Sequence, residues 1–171
     1  MLSQSFSNIL DGWIKELDRY SLDQLLAKPA AGWSMGQLYL HLIEATGYSL
    51  KQAKTCTTGN DNMSGEKFLA AEKIFRDNEL PDIFIEGPPS NAKTPQPLNK
   101  DQILQGLIDL KNRFIEVSTL VEKNQGNGKT KHFGLGYLTA GEWLQFAEIH
   151  FRHHLRQKKR LDEFIKEKSV G

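Results

Sequence analysis

The stretch from Thr139 to Gln157 leaves the chain the fewest options. Thr139 and Glu142 form a T-x-x-E capping box, so a helix begins there. Trp143, Ala147, His150, His154 and Leu161 then fall on one side of it, the side expected to face inward. His150 and His154 are one turn apart, about 40° around the axis and roughly 6 Å along it, so both imidazoles can reach one cation from one face. His153 lies about 100° round from His154 and points elsewhere. Burying two adjacent imidazoles without a shared partner is costly. A pair is not yet a site, so a third ligand has to come from another part of the chain.

The preceding segments read as three more long helices. Leu2, Phe6, Ile9, Trp13, Leu17 and Tyr20 recur at steps of three and four, which predicts a helix running to about Ala27, before Pro29. Ser34 and Gln37 form a second capping box. On the helix it opens, Leu38, His41, Leu42, Ala45, Tyr48 and Gln52 share one face. His41 thus sits on an otherwise apolar stripe. Alone, such a residue is ordinarily a hydrogen-bonded core histidine; with the pair at 150 and 154 it becomes the candidate third ligand. Glu44, one turn on, lies close to the same face. This helix should fade by Cys56 to Gly59, with a turn at 60–64 and a short extra helix over 65–77. Asn99 and Gln102 open the third long helix, whose apolar residues Ile103, Leu107, Leu110, Phe114, Val117 and Val121 keep helical spacing to about Lys123.

Two segments break the pattern. Residues 76–98 hold five of the six prolines, a density that predicts no regular element. Ile83, Phe84 and Ile85 are nevertheless apolar, so the segment is expected to cross and cover one end of the body. Residues 124–136 contain four glycines and read as a loop carrying a solvated His132. The last helix runs from Thr139 to about Lys166. Four long amphipathic helices and no strand pattern predict an all-α four-helix bundle with a short extra helix and a proline-rich crossover, a single domain over 1–171.

Composition narrows the function classes. Lys plus Arg number 22 against 21 Asp plus Glu, a balance that argues against a nucleic-acid or membrane-surface partner. The basic run Arg152, Arg156, Lys158, Lys159 and Arg160 is interrupted by Asp162, Glu163 and Glu167 and reads as a solvated helix end. No apolar run approaches the roughly 20 residues of a membrane span. The opening MLSQSFSNILDGW has no basic region followed by an apolar stretch, and the single Cys56 cannot form an intramolecular disulfide; a cytoplasmic setting is expected. Cys56 lies about 22 Å along the helix from His41, too far to join it as a ligand.

The pair Trp33-Ser34 with His41-Leu42 downstream, followed by His150-x-x-His153-His154-x-x-Gln157, resembles the DinB/YfiT-like superfamily of metalloenzymes. Gly134 to Leu138, Glu142-Trp143 and the histidine-rich segment are especially similar to one uncharacterised branch of it. The likeness spans nearly the whole chain. It implies that His41, from the second long helix, and His150 and His154, from the last, hold a divalent metal, with Zn or Ni favoured and Fe also compatible with imidazole donors. His153 matches a position that is not generally a ligand. Gln157 and His153 are candidates for the layer behind the ligands.

Three ligands leave a position for water or substrate, which points to catalysis on a small molecule. Relatives that use a low-molecular-weight thiol such as bacillithiol or mycothiol imply an S-transferase and a thiol cofactor. Two alternatives stand beside it. One is a non-catalytic, metal-stabilised bundle acting as a binding or stress-response module. The other is a metal-assisted hydrolase with Glu44 as the base. Trp33 is expected to be core, and a homodimer is compatible with the helix surfaces.

Overall fold

The computed structural model describes residues 2–83, 89–124 and 126–170. It is mostly helical. Helices α1 (Leu2–Leu17), α2 (Leu22–Leu26), α3 (Met35–Thr57), α4 (Leu69–Asp77), α5 (Lys100–Lys123) and α6 (Ala140–Val170) are joined by a short 3-10 turn (Pro89–Lys93) and an antiparallel hairpin, β1 (Lys129–His132) and β2 (Gly136–Thr139). No helix among the described residues is long and apolar enough to cross a membrane.

The core is aromatic at its centre. Phe6 of α1 stacks on Phe114 of α5 with ring centroids 4.0 Å apart, and meets Phe151 of α6 edge-on at 5.3 Å. Trp13 of α1 is edge-on to both Phe151 and Tyr39 of α3. One cluster thus takes side chains from all four long helices. Burying each such ring contributes about 1.5–3 kcal/mol. Phe151 stands off the predicted inward stripe of the last helix; α6 is packed on more than one side, so its buried face is wider than the stripe.

The capping boxes form as their sequences require. Ser34 Oγ accepts the Gln37 N–H at 3.1 Å, and Gln37 Oε1 accepts the Ser34 N–H. Thr139 and Glu142 make the same reciprocal pair. The first predicted helix is broken, however. A turn follows Leu17, and Ser21 with Gln24 makes a further capping box that starts α2. Local side-chain bonds to the backbone win there over the continuing apolar spacing.

The expectation of no strand is corrected by the hairpin, which occupies the second half of the predicted glycine loop. Gly136 makes the turn into β2 at φ +82 while its backbone also bridges Lys67, so a side chain there would meet Glu66 O at 2.6 Å. That bridge also delays the extra helix, which begins at Leu69 rather than Gly65. His132 is a half-buried strand residue and not a solvated loop one. Tyr48 departs from its predicted buried stripe and is 52% exposed.

The basic run is not simply solvated. Lys158 is buried; its ammonium donates to Tyr20 Oη at 2.8 Å and Asp162 Oδ2 at 2.9 Å, and Tyr20 in turn bonds Asp162. Arg152 donates to Asn78 O, and Arg156 to Glu79 Oε1, which ties α6 to the end of α4.

Of the proline-rich segment, Phe84, Ile85 and Pro88 lie outside the described residues, and Ile83 is exposed. A 3-10 turn forms where no regular element was predicted. Residues beyond it lie against the start of α3: Gln37 donates to Thr94 O, Ser34 Oγ to Gln96 Oε1, and Gln96 to Leu26 O. Gly36 permits this. A Cβ on it would stand 2.6 Å from Pro97 Cγ and 2.9 Å from Leu25 O. Gly36→Ala is therefore expected to lower stability by about 1–3 kcal/mol through overpacking. Urea denaturation would measure it, and an unchanged midpoint would contradict the close approach.

Candidate metal centre

His41 is buried on the second turn of α3, where the Ser34 cap and the Pro97 contact fix the start of the helix. His150 and His154 are carried by α6, which is the most extensive packing partner of α3. The helices bring three Nε2 atoms together. His41 Nε2 is 3.3 Å from His150 Nε2, and His154 Nε2 is 3.0 Å from the same atom. One ligating nitrogen from each ring lies within 4.8 Å of the others, and this group could hold a metal ion. Nitrogens about 2.0–2.1 Å from a tetrahedral cation stand about 3.3 Å from one another, so the spacing fits a first-row divalent ion.

The surroundings favour the ligand form of each ring. Burial, with His154 beside it, pushes His41 down to about 3. Burial lowers His154 to about 4, although its bond to Gln157 works the other way. Burial and the neighbouring imidazoles hold His150 well below its usual range. All three are uncharged at neutral pH, as metal ligation requires. Gln157 Oε1 lies 2.8 Å from His154 Nδ1. A carboxamide oxygen can only accept, so Nδ1 carries the proton and Nε2 presents its lone pair.

Two aromatic side chains enclose the group. The Trp33 ring lies 4.4 Å from His41 and 6.4 Å from His154 by centroids, and its N–H donates to Asn91 O at 3.2 Å. Trp33 is half-buried against the site, not part of the central core. Phe146 stacks on His150 at 5.7 Å. Sequence reasoning passed over Phe146, although its place four residues before His150 puts the two rings on one face.

The remaining candidates are placed apart. Glu44 is exposed on α3 and is outside the three-His group. His153 is half-buried, its ring 5.3 Å from that of His154 and its Nδ1 buried without a hydrogen-bond partner among the described residues. Cys56 is buried near the hairpin, with Sγ 3.6 Å from both Thr130 Oγ1 and Leu138 O.

Two outcomes follow from this geometry. In zinc or cobalt titrations, His154→Ala should lose affinity far more than His153→Ala, and Gln157→Leu should weaken it by about 10–100-fold through the freed ring; equal losses from the two histidine variants would contradict the convergence. The second concerns pH. Histidines titrate near 6.5 in the unfolded chain and far lower here, so below about pH 6.5 the unfolded state binds more protons. Stability of the metal-free protein should therefore fall as pH drops from about 6.5 to 5, before carboxylates begin to titrate. A flat urea midpoint across that window would exclude neutral buried imidazoles.

The family model of the DinB superfamily matches residues 8–157, a span that holds the three histidines and ends on Gln157. No curated protein matches the chain. With the match covering most of its length, the chain belongs to the DinB superfamily.

Proposed function

We propose that the protein is a divalent-metal-dependent enzyme built on a DinB-type four-helix bundle, with α1, α3, α5 and α6 as its helices and the proline-rich segment as a crossover. In this reading His41, His150 and His154 hold the metal through Nε2. The observation that carries it is the meeting of three uncharged imidazole nitrogens from two helices, with no carboxylate or thiolate to close the set among the described residues. Structural zinc sites are normally closed by four protein ligands; three leave room for a substrate atom. Zn and Ni suit the all-imidazole set, and Fe remains compatible.

The reaction class we infer is transfer of a low-molecular-weight thiol. When bound, a divalent cation lowers the pKa of a coordinated thiol or water. A hydrolase of this kind also needs a base beside the attacking water, and Glu44, the carboxylate the sequence offers, is exposed and apart from the three rings. A thiol needs no such base. Its proton passes to solvent, its sulfur forms a bond to carbon of the acceptor, and the leaving group departs with the electron pair. The protein's part is to orient the site. Gln157 fixes the His154 tautomer, Trp33 and Phe146 wall the rings against bulk water, and the capped helices hold their spacing.

Cobalt-substituted protein tests the open position. Adding a small thiol should shift the visible absorption of the bound cobalt, and His41→Ala should abolish both cobalt binding and the shift. Cobalt that binds but does not respond to thiols or azide would assign the site a structural role. A panel of thiols with electrophilic acceptors then reads transfer itself.

A further inference from the structure

Each of the three histidines needs something behind it to fix its rotation, because the ring torsion of a histidine has broad minima. Gln157 does this for His154 through a hydrogen bond, and the Phe146 ring stacks on His150 at 5.7 Å. His41 has neither. Its Nε2 faces His150, and its Nδ1 makes no hydrogen bond among the described residues. What lies against it is the Trp33 indole, with centroids 4.4 Å apart and planes 38° apart. The same indole is 6.4 Å from the His154 ring. Trp33 therefore borders two of the three rings, one on each helix.

The indole is itself held from a distant part of the chain. Its N–H donates to Asn91 O at 3.2 Å. That carbonyl also accepts from Thr94, from Oγ1 at 3.0 Å and from the backbone N–H at 3.3 Å, so one oxygen both closes a turn and anchors the ring. The turn is fastened to α3 in three places. Gln37 Nε2 donates to Thr94 O at 2.6 Å, Ser34 Oγ donates to Gln96 Oε1 at 2.7 Å, and Pro97 fills the space that Gly36 leaves. Ser34, Gln37 and Thr94 are all buried, so these polar groups are committed to one another rather than to water. Gln37 also caps α3 by accepting the Ser34 N–H. A single side chain thus joins the segment over 91–97 to the helix that carries His41.

We propose that residues 91–97 form a strap that positions His41 through Trp33, so that docking of the strap and binding of a divalent cation are coupled. The inference rests on the three-His site proposed above and adds the element that tunes it. Trp33 and Thr94 are positioning residues, since neither offers a ligand atom. The indole face restricts rotation of the His41 ring, and Thr94 keeps Asn91 O where the indole N–H meets it. The coupling is reciprocal. If the docked strap raises metal affinity by some factor, bound metal favours docking by the same factor.

Zinc affinity, measured on the full chain by competition with a chelator, tests one direction. Trp33→Leu should weaken it by about 10–100-fold, as loss of a group that orients a ligand does. Trp33→Phe keeps an aromatic face without the N–H and should fall between Trp33→Leu and the unaltered protein. Thr94→Val removes only the hydroxyl that closes the turn and should cost about 2–10-fold. Val117→Ala, in the core on α5, is the control: it should lower the urea midpoint and leave zinc affinity unchanged. Hydrogen exchange tests the other direction. Zinc should slow exchange of the Trp33 indole N–H and of the Thr94 amide, and in Trp33→Leu the effect on the Thr94 amide should vanish. The visible spectrum of cobalt-loaded Trp33→Leu should also differ from that of the unaltered protein, because the His41 ring is released.

Zinc affinity unchanged in both Trp33→Leu and Thr94→Val overturns the strap. So does a loss in Val117→Ala as large as that in Thr94→Val, which would trace the effect to stability alone. Zinc that binds, and is lost in His41→Ala, without slowing exchange at Trp33 or Thr94 overturns the coupling and leaves the three-His site standing. An unaltered protein that takes up no zinc removes the metal-dependent reading, and the coupling with it.

Discussion

The register between α3 and α6 is the constraint on which the site depends. His41 and His150 approach to 3.3 Å only if the two helices neither slide nor rotate by a fraction of a turn. A residue's worth of axial slip is about 1.5 Å, enough to take a ring out of ligand reach. Several contacts hold that register, each for its own reason. The Ser34 box and the Gly36–Pro97 approach fix where α3 begins. The Thr139–Glu142 box fixes where α6 begins, and Lys67 braces Glu142 at 2.7 Å. Burial alone would raise the pKa of Glu142, but the Lys67 ammonium and the Thr139 backbone outweigh it, so the brace stays charged. Beyond the site, buried Lys158 clamps α6 to Tyr20.

The same contacts explain why the imidazoles can be left so close together. Three neutral rings facing one another satisfy few of one another's hydrogen-bonding groups, since each needs a donor opposite an acceptor. Gln157 resolves this for His154 by taking the Nδ1 proton outward. The His154 lone pair left facing inward is costly to bury unpaired, and a cation held by the group would relieve it. Ligand binding of this kind adds to folding stability by mass action. The convergence of the three nitrogens is therefore a property of the fold: whatever stiffens α3 against α6 also keeps them aimed.

How far the sequence shows this depends on which forces dominate locally. The long helices are legible because apolar spacing and caps agree, and Ser34–Gln37, Asn99–Gln102 and Thr139–Glu142 each begin a helix where the pattern says one should. The three histidines are legible for a related reason, since a polar ring on an apolar stripe demands a partner. What stays hidden depends on distant chain. Lys129–His132 has no alternation that would mark a strand; it pairs with Gly136–Thr139, whose first residue Lys67 bridges from another segment. The break after Leu17 is written in Ser21 and Gln24, yet an unbroken apolar spacing masks it. Trp33 looks like core until the segment around Asn91 is seen to hold its indole over His41.

The hairpin brings these strands of argument together. It precedes α6 directly, so its geometry sets the first turn of the helix that carries His150 and His154, and the Trp143 N–H bonds back to Thr130 at 2.8 Å to lock the two. It also places His132 beside Phe146, which stacks on His150, and Phe133 against His132. A longer glycine loop could satisfy the connection from α5 to α6, but it would leave both the helix start and the aromatic wall undefined. Pairing the loop into strands costs conformational entropy that the short β1–β2 ladder alone repays poorly. Anchoring through Trp143, the Lys67 bridge and the buried Leu135 and Leu138 makes up the difference. The hairpin thus ties the start of the helix that carries His150 and His154 to the aromatic rings around them, so that the sequence element least visible as structure helps to set both.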